Sequence, residues 1–250
     1  MKIQLIRHAA LWLEYGGSTF LIDPMLSAQG VNPPIMNSGD DRRNPLTPLP
    51  GPVQQWLDPD AVIVTHLHQD HWDAAAAELL NPKLPLLCQE GDGEKITAQG
   101  FGQVKEIDDN VPSVFRGVTL SRTGGRHGTG EIGARMGKVS GCLFQAEGEP
   151  VVYLAGDTIW CKEVEDVLTV HQPDIIIVNA GGASFTNGGH ITMNEQDIVE
   201  LCHAAPTASV IAVHMDTINH CRVTRGLLKL RLEQEGLLDR VAVPLDGEWV

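Results

Sequence analysis

Four side chains that can bind a divalent metal ion lie close together in the sequence Thr-His-Leu-His-Gln-Asp-His at residues 65–71. Imidazole nitrogens and carboxylate oxygens are ligands that suit zinc, iron and manganese. The run directly follows the apolar segment 61–64, which is typical of a buried strand. A short loop after a strand can bring all four side chains to one point: His66, His68, Asp70 and His71. A solvated histidine-rich turn is the alternative, and it explains the run less well.

Three further candidate ligands occur later in the chain. Asp157 and His214, like His66, lie just past the ends of apolar runs that we predict to be strands. Strand ends along one edge of a sheet are where α/β proteins gather site residues. His127 lies in the glycine-rich stretch 124–130, where the backbone can turn sharply. We therefore expect these residues to meet the histidine-rich run at one sheet edge.

Sequence patterns also predict the elements that must position these ligands. Alternating or apolar runs predict strands at 11–15, 19–22, 84–87, 104–107, 118–122, 142–146, 151–155, 175–179 and 209–213. Helical spacing predicts helices at 72–80, 161–171 and 224–235, with another that begins after Thr192. The spacing of Thr192 and Glu195 matches a capping box at the start of that helix. Strands that alternate with helices indicate layered α/β or α+β packing.

The length of 250 residues fits a single domain that spans residues 1–250. Six prolines lie between residues 30 and 52, a composition that excludes a helix or a central strand and predicts a long loop. Such a loop could be a lid over a site. Packing against the surface, or a contact between two copies of the chain, is the alternative interpretation.

The composition bears on partners and location. A net charge of −14 argues against broad binding to nucleic acid or to anionic membranes, both of which need a cationic surface. The first residues lack the pattern of a signal peptide, and no apolar run is long enough to cross a bilayer, so we expect a cytoplasmic protein. The five cysteines are scattered and include no Cys-x-x-Cys pair, which indicates neither a disulfide framework nor a thiolate zinc site.

Taken together, the motifs resemble those of the metallo-β-lactamase-fold hydrolases. The resemblance rests on the His-x-His-x-Asp-His run, a histidine in a later loop, Ala-Gly-Asp-Thr at 155–158 and a final histidine after a strand. Segments 6–9, 20–24 and 189–193 most resemble the branch that contains the ascorbate-6-phosphate lactonase-like proteins. The resemblance implies a four-layer αββα sandwich, in which two sheets pack face to face, helices lie outside and the metal site lies at one edge.

The resemblance also implies two divalent metal ions and divides the ligands between them. One ion would take His66, His68 and His127, and the other would take Asp70, His71 and His214. Asp157 would bridge the ions, because a carboxylate has two oxygens and an imidazole has one available nitrogen. We expect zinc, with manganese or iron as alternatives. Two ions about 3.5 to 4 Å apart can share a hydroxide at neutral pH.

Several other histidines are weaker candidates for the metal site. His220 competes with His214 for the last ligand position, and we interpret it as an outer partner of the ligands or a packed histidine. His190 is a candidate outer partner, with a surface or capping role as the alternative. His8 lies in a segment that carries the narrower resemblance, as does Asp23, and we expect both to maintain the fold.

We expect the hydroxide to attack an ester, lactone or phosphoester bond of a small molecule. Asp157 and Asp70 would be the catalytic carboxylates, with Asp70 also handling a proton. Four cationic side chains lie near the glycine-rich loop: Arg122, Arg126, Arg135 and Lys138. Only Glu131 is acidic in this stretch, so the excess positive charge favours an anionic substrate. Charge compensation at an acidic surface is the alternative role for these side chains.

Three rival functions stay open from the sequence. An iron-dependent protein of the same fold could handle oxygen or perform redox chemistry, because His and Asp ligands also suit iron. A nuclease is disfavoured by the acidic composition. A metal-stabilised interaction protein without catalysis would need a closed metal site. A homo-oligomer is compatible with the sequence.

Overall fold

Thirteen strands form two mixed β-sheets in a computed structural model that describes residues 1–250. The first sheet has the spatial order β1-β2-β3-β4-β5-β6 and contains β1 (Lys2–Arg7), β2 (Ala10–Tyr15), β3 (Ser18–Ile22), β4 (Ala61–Val64), β5 (Leu86–Gln89) and β6 (Val104–Ile107). The second sheet contains β7 (Ser113–Phe115), β8 (Val118–Thr123), β9 (Gly141–Gln145), β10 (Val152–Leu154), β11 (Ile175–Asn179), β12 (Ser209–Val213) and β13 (Val241–Ala242). Its spatial order is β13-β12-β11-β10-β9-β8-β7.

Six α-helices accompany the sheets: α1 (Ala74–Leu79), α2 (Gly93–Thr97), α3 (Gly130–Met136), α4 (Lys162–His171), α5 (Glu195–Ala204) and α6 (Arg225–Gln234). A single 3-10 turn covers Val53–Trp56. No helix combines the length and the apolar character that crossing a membrane requires.

Three apolar layers hold these elements together. The two sheets pack face to face, and the ring centroids of Phe20 from β3 and Phe144 from β9 lie 5.8 Å apart between them. Helices α1 and α2 cover the outer face of the first sheet through Ala76 and Ile96. Helices α4, α5 and α6 cover the outer face of the second sheet. The αββα sandwich expected from the sequence is confirmed.

Strand direction explains why loops from both sheets meet. In the first sheet, β1 and β3 both pair antiparallel with β2, and β3 pairs parallel with β4. These three strands, β1, β3 and β4, therefore run in the same direction. Strands β8, β10, β11 and β12 share a direction in the second sheet. Strands of this kind are buried on both faces, so their polar side chains collect in the loops beyond their carboxyl ends.

The capping box predicted from Thr192 and Glu195 is wrong. Helix α5 is instead capped by Asn194, whose side chain accepts a hydrogen bond from the amide of Asp197, while the Asp197 side chain accepts from the amide of Asn194. Thr192 is unavailable as a cap because it is buried and its hydroxyl accepts the amide of Ala183 at 2.9 Å. The helix therefore begins at Glu195.

Other predicted elements occur with small shifts at their ends. The helix predicted at 72–80 is shortened to α1 because Asp73 caps it by accepting the amide of Ala76. Five elements were missed from the sequence: β1, β7, β13, α2 and α3. Segment 30–52 has neither helix nor strand, as predicted, and its only ladder contact is the isolated bridge between Asn32 and Asn44.

Candidate metal centre

The first cluster of candidate ligands contains His66, His68 and His127. Their ligand atoms all lie within 4.8 Å of one another, so they could hold one metal ion. His66 follows β4, and His127 comes from the loop after β8, so the two sheets each contribute to the cluster. His66 and His127 are buried, whereas His68 is partly exposed at the rim.

The second cluster contains Asp70, His71 and His214. The Nε2 atoms of His71 and His214 lie 3.3 Å apart, and Oδ2 of Asp70 lies 3.5 Å from Nε2 of His214. His214 follows β12 and has a left-handed backbone with φ of 69°, a turn that lets the side chain point back over the sheet edge. All three side chains are buried.

Asp157 lies between the two clusters. Its Oδ2 is 3.5 Å from Nε2 of His127 and 3.3 Å from Nε2 of His71. Its Oδ1 is 3.3 Å from Nε2 of His214. One carboxylate therefore reaches ligands of both clusters, which is the arrangement that a bridging ligand needs. The seven ligands predicted from the sequence are thus all brought together.

Hydrogen bonds to protein groups fix which nitrogen of each buried ring faces the centre. His127 donates from Nδ1 to the carbonyl of Ile191 at 2.7 Å. Nδ1 of His66 donates to the hydroxyl of Thr65 at 3.1 Å, because that hydroxyl gives its own proton to Asp23. Nε2 of His66 is buried and has no hydrogen-bond partner. The Nε2 lone pairs of His66 and His127 are thus left to face the centre, and a divalent cation fits these donors.

One carboxylate and one side-chain amide support the ligands from outside. Nδ1 of His71 donates to Oδ2 of Asp23 at 2.8 Å, and Asp23 also accepts the amide of Thr65 at 2.7 Å. The side chain of Asn179, at the end of β11, donates to Oδ1 of Asp157 at 2.6 Å. Metal ligands need such oriented partners. Asp23 therefore supports the site directly, beyond the role in fold maintenance that we expected from the sequence.

His8 also belongs to the centre, although sequence reasoning assigned it only to the fold. Its Nε2 lies 3.1 Å from Oδ2 of Asp70, and its ring stacks on His214 with the centroids 3.6 Å apart. Its ligand atom lies with those of Asp70, His71 and His214 in one group that could hold a metal ion. The sequence signal that could have found it is its position just past the end of a strand, which it shares with His66.

The candidate ligands are buried together, and the pKa of each one depends on the charges of its neighbours. Burial lowers the pKa of His71, but the carboxylates of Asp157 and Asp23 outweigh it and raise that pKa well above its usual value. Burial raises the pKa of Asp157, yet His214 and His71 hold it well below its usual value. Burial and the neighbouring His71 keep the pKa of His66 low. Carboxylates stay ionised here, and the charge they carry favours a bound cation.

The two candidate outer histidines have different positions. His190 lies outside the ligand clusters, because its Nε2 bonds to Asp197 at 2.7 Å and its Nδ1 faces Asn194 at 3.3 Å. It therefore supports the cap of α5, which was the alternative role considered from the sequence. His220 is buried, and its ring lies 6.2 Å from that of Phe185. The next residue, Cys221, places its Sγ 3.7 Å from Nδ1 of His214 in the second cluster.

Most of the positive charge near the glycine-rich loop is already paired. Arg122 forms an ion pair with Asp109, Arg126 pairs with Glu163, and Lys138 lies near Asp109 and Glu90. Arg135 on α3 forms no ion pair and lines a cavity. Charge compensation thus accounts for three of the four cations. The five cysteines are all free thiols.

Comparison with known proteins places this chain in a family. Residues 18–215 match the family described as Beta-lactamase superfamily domain. The UPF0173 protein YddR of Bacillus subtilis strain 168 is 40% identical over 252 residues, which cover 99% of this chain and 98% of the relative. A UPF0173 metal-dependent hydrolase of Pyrococcus abyssi is 25% identical over 221 residues, which cover 87% of this chain and 85% of the relative.

Two solved structures are similar along their whole length. The isothiocyanate hydrolase from Delia radicum gut bacteria is 36% identical with a TM-score of 0.95, and the match covers 100% of this chain and 98% of that one. A possible metal-dependent hydrolase from Veillonella parvula is 37% identical with the same TM-score and the same coverage. The chain therefore belongs to the β-lactamase superfamily, among the metal-dependent hydrolases that share the metallo-β-lactamase fold.

Proposed function

We propose that this protein hydrolyses a small molecule with two divalent metal ions held by the seven clustered ligands. The observation that carries the proposal is the position of Asp157, whose two oxygens lie 3.3 Å from Nε2 of His71 and 3.3 Å from Nε2 of His214, while Oδ2 also lies 3.5 Å from His127. His66, His68 and His127 would hold one ion, and Asp70, His71 and His214 would hold the other. Zinc suits these ligands best, and manganese or iron can replace it.

A pair of divalent ions supplies an activated water and stabilises negative charge as it develops on the substrate. The chain's own residues set the conditions for that chemistry. Asp23 and Asn179 orient His71 and Asp157 through their hydrogen bonds. Asp70, which lies 3.1 Å from Nε2 of His8, is placed to accept and return a proton during the reaction.

A cavity of about 600 Å³ is large enough for the body of a small substrate. Its apolar side chains come from three segments: Ile35 and Met36 from the proline-rich loop, Ile132 and Met136 from α3, and Phe185. Met136 also lines a more open groove that contains His66 and His68. This position favours the interpretation of segment 30–52 as part of the substrate site.

The cavity favours a substrate with an apolar body and an electrophilic carbon. Isothiocyanates have this chemistry, and the structural neighbour named as an isothiocyanate hydrolase is 36% identical over the full chain. Hydrolysis adds the oxygen of water to the central carbon and a proton to nitrogen, which gives a thiocarbamic acid. Cleavage of the carbon–nitrogen bond then releases an amine and carbonyl sulfide, so the atoms balance.

Esters and lactones with an anionic group form the second substrate class. Arg135 supports this class because it lines the cavity without an ion-pair partner, and a guanidinium binds carboxylate or phosphate well. Phosphoesters are also anionic, so we place them in the same substrate class. Glu131 also lines the cavity and partly offsets the charge of Arg135.

The proposal is tested by metal analysis followed by a hydrolysis panel on the zinc-loaded protein. The panel contains benzyl isothiocyanate, a neutral lactone, a carboxylated lactone and a phosphodiester, with Asp157→Ala as the inactive variant. We expect benzyl isothiocyanate to turn over with wild type and to fail with the variant. Absence of turnover for every substrate by the fully loaded protein would refute the hydrolase proposal.

Arg135→Ala separates the two substrate classes. If the anionic class is correct, kcat/KM for the carboxylated lactone falls while that for the neutral lactone is unchanged. Arg126→Ala is the matched control, because Arg126 is paired with Glu163 at 3.0 Å and does not line the cavity. Equal effects of Arg135→Ala on both lactones would exclude a role for its charge.

A further inference from the structure

His220 is a buried histidine whose ring makes no hydrogen bond to the protein. It is 6% exposed, and its Nδ1 has no hydrogen-bond partner. Buried polar atoms in native proteins are nearly always hydrogen-bonded, so each exception needs an explanation. Nδ1 of His8 and Nε2 of His66 are also buried without partners, but the other nitrogen of each of these rings is bonded, to Asp70 and to Thr65 respectively. The ring of His220 makes no hydrogen bond at either nitrogen.

The ring lies near both the cavity and the second ligand cluster. Its centroid is 6.2 Å from that of Phe185, which lines the 600 Å³ cavity. The next residue, Cys221, places its Sγ 3.7 Å from Nδ1 of His214. A substrate that extends from the cavity to the metal ligands would therefore come close to this ring.

The backbone that carries His220 is held firmly. Its carbonyl accepts the amide of Ser184 at 3.0 Å. The preceding Asn219 donates its amide to Oδ1 of Asn44 at 2.9 Å, and its own Oδ1 accepts the amide of Ile35 at 3.0 Å. The main chain is thus fixed against the proline-rich loop while the imidazole keeps an unused polar atom, an arrangement that suits a preorganised group.

We propose that His220 is a catalytic residue, which donates a hydrogen bond to the substrate heteroatom that gains negative charge when water adds to the neighbouring carbon. For an isothiocyanate this atom is sulfur or nitrogen, and for an ester or lactone it is the carbonyl oxygen. The inference rests on the proposed hydrolase function and adds a donor from the chain to the charge stabilisation that the metal ions supply.

The protonation state of the ring fits this role. Burial lowers the pKa of His220 to about 4 against the opposing effect of Asp70, so the imidazole is neutral at neutral pH. A neutral imidazole carries one N–H donor and one lone pair. It can therefore polarise a substrate atom without adding a positive charge beside the two proposed metal ions.

A purely structural role predicts a different pattern of effects. If His220 only fills space beside Phe185, its replacement changes stability and substrate binding together. If it only supports His214, its replacement lowers metal content. A donor to the reacting substrate is distinguished by a loss in kcat at full metal occupancy, with partial rescue by a side chain that keeps an N–H group.

The test compares His220→Ala and His220→Gln with wild type, each loaded with zinc and checked for metal content. With benzyl isothiocyanate we expect His220→Ala to lower kcat about 100- to 1,000-fold, as loss of one preorganised donor does, with KM changed far less. The Gln variant keeps an N–H donor and should recover part of this loss. His203→Ala is the matched control, because His203 is an exposed histidine on α5.

A second readout does not depend on turnover. Nitrogen NMR of protein labelled at its histidine side chains, with the His220 signals identified by their absence from His220→Gln, follows the addition of phenylacetate to the zinc-loaded protein. We expect the His220 ring signals to shift on addition. Unshifted His220 signals at saturating phenylacetate, or full kcat in His220→Ala, would overturn the assignment.

The outcomes separate this inference from the proposed function. An inactive wild-type protein with two bound zinc ions refutes the hydrolase proposal and with it this role for His220. An active wild type and an equally active His220→Ala protein refute only the role of His220. A His220→Ala protein that binds fewer zinc ions than wild type contradicts the donor role and makes His220 a support for the ligands.

Discussion

Asp23 and His71 form a buried pair in which Oδ2 of the carboxylate lies 2.8 Å from Nδ1 of the ring. Asp23 follows β3 and His71 lies beyond β4, and these strands are parallel neighbours in the first sheet. The pair therefore joins the two loops and leaves Nε2 of His71 directed at the metal ligands. It also supplies a negative charge that offsets the burial of that ring.

Replacement of Asp23 by Asn should weaken metal binding. Asn tolerates the left-handed backbone of this position, where φ is 45°, so the loop is preserved while the charge is removed. We expect a loss of about 10- to 100-fold in zinc affinity, measured by competition with a chelator. Asp58→Asn removes an exposed carboxylate and serves as the control. Unchanged affinity in Asp23→Asn would contradict a role for the pair in metal binding.

Replacement of His8 by Asn should affect one metal position more than the other. His8 contacts Asp70 and stacks on His214, and neither belongs to the His66 cluster. Asn tolerates the φ of 61° at this position, and the backbone carbonyl that accepts the amide of His214 at 2.9 Å is retained. We expect zinc titration to show one site of wild-type affinity and one weakened about 10- to 100-fold. Equal weakening of both sites would argue against this assignment.

Replacement of Asn219 by Ala should loosen the proline-rich loop. Its side chain accepts the amides of Ile35 at 3.0 Å and of the Asn44 side chain at 2.9 Å, and it donates to the hydroxyl of Ser38 at 2.7 Å. Buried groups left without partners cost about 1–3 kcal/mol. We expect faster hydrogen exchange at the amide of Ile35 and faster proteolysis within 30–52. Asn110→Ala, at an exposed turn, should change neither, and slow exchange in Asn219→Ala would show that other contacts hold the loop.

His190 should make stability depend on pH in a defined direction. Its hydrogen bond to Asp197 raises its pKa above the usual 6.5, so the folded protein binds the proton more tightly than the unfolded chain. The contribution is complete below the unfolded pKa and is lost as the pH rises through the folded one. His190→Gln should therefore lose more unfolding free energy, relative to wild type, at about pH 5.5 than at about pH 9.

The measurement is urea denaturation of both proteins in the same chelator-containing buffer, so that metal binding does not contribute. His171→Gln is the control, because His171 is exposed on α4. A larger deficit at the higher pH would reverse the sign and refute the pairing of His190 with Asp197 as the cause.

The sequence by itself determined the chemistry of the ligands. His66, His68, Asp70 and His71 are so close along the chain that one loop must hold them together, whatever surrounds it. Asp157 and His214 could be found because apolar strands precede them and strand ends meet at sheet edges. The paired sheets followed from the resemblance to the metallo-β-lactamase-fold hydrolases, and the structural match confirms that fold.

Only the tertiary structure decided which residues support these ligands and where a substrate could lie. Asp23 and His8 bond to residues at least 42 positions away in the sequence. The sequence around each of them therefore does not reveal its partner. The cavity exists because the proline-rich loop, α3 and the loop at Phe185 meet in space. The pairing of Arg122 with Asp109 was equally invisible. The physical reason is that ligand chemistry belongs to individual side chains, whereas burial, hydrogen bonding and charge compensation depend on neighbours that only folding brings together.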